Sequence, residues 1–151
     1  LIKNFGNWGD RVCELRAYPS HLTPPIGQIH IGYLPVDSGQ MGIFDLSHYQ
    51  DDKIVPYDLE NPFPGSIGHK KWYLLCCSET LNKRQGGIIP YGCVSCTSFG
   101  DGSYNLLIDK KDDNIVGITI RFIEEEDLEN EDHEDEDDIK GEEQDITMVT
   151  S

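Results

Sequence analysis

Helical periodicity is hard to find in the first 123 residues of this chain, and that scarcity restricts its fold more than any other feature. Short apolar or alternating runs follow one another, cut by Gly, Pro, Asn and Asp, which is how half-buried strands read. The runs place strands at Val12–Tyr18, Gln28–Leu34, Gln40–Phe44, Lys71–Ser78, Gly87–Ser95, Ser103–Ile108 and Ile115–Ile123. Short helices are expected only around Leu46–Asp52 or Ser78–Gln85, and neither stretch is long enough to nucleate without tertiary support. Asn61-Pro62-Phe63-Pro64-Gly65 removes two ladder donors and reads as a surface loop. Seven such strands predict an all-β, or β-rich α+β, antiparallel sandwich or partly closed barrel.

The stretch "TSFGDGSYNLLIDKKDDNIVGITIRF", Thr97 to Phe122, reads as strand, turn, strand, turn, strand. Asp101-Gly102 is a strong two-residue hairpin signal. Tyr104 and Ile108 then alternate with polar neighbours, Lys110–Asn114 makes a polar turn, and Ile118, Ile120 and Phe122 share one face. The sequence therefore predicts a three-stranded meander closing the domain. A ligand-holding reading of the same loop uses the oxygens of Asp101 and Ser103, yet the loop lacks the alternating acids and closing Glu of a calcium loop.

Charge divides the chain in two. Of 28 Asp and Glu and 12 Lys and Arg, 15 acids and one Lys fall between Glu124 and Ser151, leaving 13 acids against 11 bases before them. The net charge of −16 is thus −14 in the last segment and −2 in the body. This predicts a β-rich globular domain over residues 1–123 and an acidic disordered tail over 124–151, which buries too little apolar surface to offset chain ordering. A near-neutral body has no basic stripe for phosphates, so nucleic-acid binding by the body is not expected. No apolar run reaches membrane-spanning length, and Leu1–Pro19 lacks the layout of a signal peptide.

Five cysteines, Cys13, Cys76, Cys77, Cys93 and Cys96, form no evenly spaced framework, which points to a cytoplasmic or other reducing compartment and buried thiols. The alternative is a structural zinc held by Cys76, Cys77, Cys93 and Cys96 around the C-x-x-C spacing. Alternating strand geometry speaks against it, because neighbouring strand residues point to opposite faces. In "VDSGQ", Val36–Gln40, the tripeptide Asp37-Ser38-Gly39 reads as an Asx turn. A ligand-binding or hydrolytic alternative would bring Asp37, Asp45 and Asp101 into one cleft with Ser38, Ser103 and Tyr104. No paired histidine motif, nucleophile elbow, Walker loop or dinucleotide fingerprint supports an enzyme.

"VDSGQMGIFD" followed by "GGIIPYGCVSCTSFGDGSYNLLIDKKDDNIVGITIRF" resembles an uncharacterised family of small proteins from bacteria, phages and large DNA viruses. The shared pattern is a "VDSGQ…D" segment, a "GDG-x-Y" segment, a polar turn and a last strand. The resemblance covers Gly27 to Ile123. It implies a compact β-rich domain in which Asp37, Gly39, Asp101, Gly102 and Tyr104 cluster, and it transfers no catalytic assignment.

The sequence thus favours a non-enzymatic interaction or structural module with no cofactor. Its expected partner is a protein, with a basic surface where the acidic tail engages it. A virion or other assembly component is one setting, and an immunity-type inhibitor of a basic toxin is another.

Overall fold

The computed structural model describes residues 1–56 and 71–124. The proline loop expected at residues 61–65 and the acidic segment beyond Glu124 lie outside the described residues. The architecture is β-rich and antiparallel, and its sheets do not close into a barrel, so of the two expected forms it is the sandwich that appears.

A small ribbon pairs β1 (Ile2–Asn4) with β2 (Asp10–Val12). A four-stranded sheet runs in the order β3 (Glu14–Ala17), β9 (Asn114–Arg121), β8 (Gly102–Lys111), β4 (Gln28–Val36). A three-stranded sheet runs β5 (Gln40–Phe44), β7 (Gly92–Cys96), β6 (Gly86–Ile89). The first core lies between these sheets. Val12, Cys13, Tyr104, Ile120 and Phe122 are buried there, and Met41, Ile43 and Cys96 pack against them from the second sheet. The far face of the three-stranded sheet is covered by α1 (Lys71–Thr80), where Trp72, Leu75 and Cys76 meet Ile89 and Val94.

Three expectations are corrected. Lys71–Ser78 is a helix, because Trp72, Leu75 and Cys76 fall at i, i+3 and i+4 and so form one buried stripe. Asp52 helps start it by accepting the Trp72 N–H at 3.0 Å. Gly87–Ser95 is a hairpin, bent at Pro90-Tyr91, where Pro presets one turn dihedral and Tyr91 takes φ 61°. Val12–Tyr18 changes partners at Cys13: β2 belongs to the ribbon and β3 to the large sheet.

The closing meander is also different. β8 and β9 do form a hairpin, turning at Asp112 and Asp113 with φ 50° and 64°. The strand before them, β7, lies in the other sheet, and the second neighbour of β8 is β4. Asp101-Gly102 is therefore no hairpin turn but part of a passage between sheets. At the expected helix over Leu46–Asp52 the chain makes two short 3₁₀ turns, Leu46–His48 and Asp52–Ile54. No helix among the described residues is long and apolar enough to cross a membrane.

Candidate functional site

The chain passes between the two sheets from β4 to β5 and again from β7 to β8, and the two motif segments are these two passages. They run side by side. Val36 pairs with Gly102, so the first passage begins where the second ends. Gly39 takes φ 62°, a left-handed conformation that costs glycine little, and its N–H donates to Asp101 Oδ1 at 3.1 Å. The Gly39 carbonyl accepts from the Thr97 N–H at 3.1 Å.

The second passage is braced from inside. Thr97 is fully buried, and its hydroxyl donates to the Gly100 carbonyl at 2.5 Å. The buried Tyr104 hydroxyl lies 3.0 Å from the Thr97 carbonyl and 2.8 Å from that of Gly100, so one proton serves two acceptors. The Tyr104 ring stands edge-on to Phe122 at 5.2 Å. On the outer side the Ser98 hydroxyl donates to the Val12 carbonyl, and the Arg11 guanidinium donates to the Ser98 carbonyl at 3.3 Å.

The implied clustering is thus visible for Gly39, Asp101, Gly102 and Tyr104, with Asp37 exposed beside them. Ser38 is exposed and donates to the Gln40 carbonyl at 3.4 Å, and Ser103 is an exposed β8 residue opposite Pro35. Chemically the arrangement is a brace: its acceptor and hydroxyl groups are spent on backbone that crosses from sheet to sheet. Tyr104→Phe is expected to cost about 1 kcal/mol in urea unfolding, the net worth of one such hydrogen bond. A change under about 0.3 kcal/mol would remove Tyr104 from the brace.

Asp45 stands apart from Asp37 and Asp101. It lies just past the other end of β5, six residues beyond Gly39, or about 20 Å along an extended strand. Its Oδ1 accepts the Ser47 hydroxyl at 2.6 Å and the Ser47 N–H at 2.9 Å, capping the first 3₁₀ turn. These two bonds hold its carboxyl below the ordinary Asp range. The three carboxylates of the cleft reading therefore do not converge.

The thiols occupy separate settings. Cys76 lies on the buried face of α1, and burial pushes its thiol up to about 12. Burial also raises Cys93, on β7. Cys96 donates to Gln85 Oε1 at 3.3 Å, and Cys77 accepts from Gln40 at 3.6 Å. Among the described residues, no three His, Cys, Asp or Glu side chains come together as a metal set.

Two polar centres escaped the reading of the sequence. Gln40, the last residue of "VDSGQ", ties β5 to α1: its amide N–H reaches the Tyr73 hydroxyl at 2.9 Å, and its Oε1 accepts from Thr80 at 3.2 Å. Glu14, buried on β3, accepts from Arg121 at 2.8 Å and pairs with Arg16. An acid flanked by two arginines, with one of them over a hundred positions away, leaves no local signal in sequence.

Comparisons of the chain with protein-family models, with curated proteins and with solved structures found no match.

Proposed function

We propose that this chain is a non-enzymatic protein-interaction module whose body docks a partner along β4, with the acidic segment after Ile123 acting as an electrostatic arm. The observation that carries this reading is the character of β4. Among the described residues it is an edge strand of nine residues, Gln28–Val36, with no Asp, Glu, Lys or Arg. Ile29, Ile31 and Tyr33 are 45%, 52% and 65% exposed along it. Edge strands are ordinarily blunted by charge or proline, because unpaired backbone beside apolar side chains recruits another chain. Here one bulge between His30 and Gly32 and a single Pro35 near the end are the protections.

The internal use of Thr97, Asp101 and Tyr104 supports the same reading, since groups that hold the brace are not free to act on a substrate. The family resemblance, with its phage and viral members, fits a module of a larger assembly. The arm carries dense like charge and suits a basic partner, with a grip that weakens as salt rises.

Affinity recovery from the native source, using the full chain, tests the proposal. Ile31→Asp with Tyr33→Asp should lower partner yield about tenfold or more, as expected when an apolar anchor is lost. A truncation after Glu124 should retain the partner and lose only the salt-sensitive part of binding. An isolated monomer that recovers nothing, or unchanged yield with the β4 variant, would count against it.

A further inference from the structure

The sandwich is splayed open on the side away from β4. Here the edge strands β3 and β6 flank a cleft of about 1090 Å³, reaching in to Val12, Leu15, Cys93 and Ser95. Ile88, on β6, borders this cleft and is 87% exposed, a large apolar side chain left without cover. Ser95, on the neighbouring strand, is 3% exposed, and its hydroxyl has no hydrogen-bond partner among the described residues.

The charges around the cleft are unevenly used. Glu14 is already held by Arg16 and Arg121, and Glu79 accepts from Asn82 at 3.2 Å. Lys83 and Arg84 line the same cleft, are exposed, and make no ion pair among the described residues. The opening therefore has an apolar wall, two strand edges and surplus positive charge, although the body as a whole is slightly acidic.

We propose that this cleft is a second binding site, distinct from β4, and that it takes an extended peptide of a partner protein. The peptide would be apolar at alternate positions, with acidic residues at one flank. Main-chain bonds to a free strand edge supply affinity in such strand addition, and alternate side chains supply selectivity. Ile88 and Leu15 would take the apolar positions, and Lys83 and Arg84 the acids. A nucleic acid is a poorer occupant, because two cations beside Glu79 do not make a phosphate track.

The test uses the full chain and a fluorescein-labelled synthetic peptide of two glutamates followed by alternating threonine and valine, with a lysine-for-glutamate analogue. Fluorescence anisotropy should show saturable binding of the acidic peptide with Kd below about 1 mM. Binding should weaken about tenfold in Lys83→Glu/Arg84→Glu. Ile88→Asp, at a site too exposed to unfold the chain, should remove it. The β4 variant Ile31→Asp should bind the peptide as wild type does, which separates this site from the preceding proposal. No saturation by about 1 mM, equal binding of the lysine analogue, or indifference to both cleft variants would overturn the inference. Self-association through Ile88 that the peptide does not compete would overturn it too, assigning the cleft to a second copy.

Discussion

Trp72→Ala is expected to cost about 3–5 kcal/mol, the range for removing a buried large aromatic from a packed core. Trp72 is 5% exposed, and its ring meets Phe44 at 4.9 Å and Tyr49 at 5.1 Å, both edge-on. It is also the residue that fastens α1 to the three-stranded sheet, beside Ile89 and Val94. Truncation leaves a cavity that a short helix and a glycine-containing sheet cannot easily collapse, so the loss should sit in the upper half of the range. Urea unfolding followed by far-ultraviolet circular dichroism measures it without relying on the lost fluorophore. A loss below about 1 kcal/mol would mean that α1 is not packed as described.

Glu14→Gln should destabilise by about 2–3 kcal/mol, because it leaves two arginines facing a neutral group in a largely buried setting. The side chains of Arg16 and Arg121 are 27% and 26% exposed, so water offsets part of the deficit and the cost stays below that of a sealed pair. Arg121 also donates to Gln28 at 3.0 Å and approaches Glu124 at 3.5 Å, which leaves it less dependent on Glu14 than Arg16 is. The loss should persist in high salt, since buried pairs are screened weakly. Urea midpoints at low and high ionic strength provide the check. A deficit that vanishes with salt would show an exposed pair of little worth.

What the residues disclosed depended on whether their signal was local. β5 was legible to its ends, because Gln40–Phe44 is a short run between a glycine turn and an Asp cap. The start of β4 at Gln28 was legible for the same reason. α1 was not, since the adjacent Trp72 and Tyr73 favour strands and its apolar stripe is only three residues deep. The misreading of Asp101-Gly102 has a different cause. The dipeptide does favour a bend, but whether the next strand returns to its neighbour or crosses to another sheet depends on pairings with β4, more than sixty positions upstream. Cys13 illustrates the same limit: one stretch that alternates like a single strand is divided between two sheets, with the Cys13 carbonyl accepting from the Phe122 N–H at the far end of the body.

Of the candidate site, the grouping of Asp101 with Gly39 was legible through the motif pattern, whereas the position of Asp45 was not. The roles of Gln40 and Glu14 required three dimensions. Gln40 reaches Tyr73 and Thr80, 33 and 40 positions away, and Glu14 reaches Arg121 across 107, where a single sequence carries no trace of the partner.

The position of β9 also governs how the body can come into being. It lies inside the large sheet between β3 and β8, yet it is the last strand among the described residues. While the polypeptide is being made, β3 and β4 emerge before the strands that join them; β8 can pair with β4 as soon as it is made, whereas β3 stays unjoined until synthesis has passed Arg121. The large sheet is therefore complete only once β9 has been made, and Glu14 waits for Arg121, its partner, through the 107 positions that separate them.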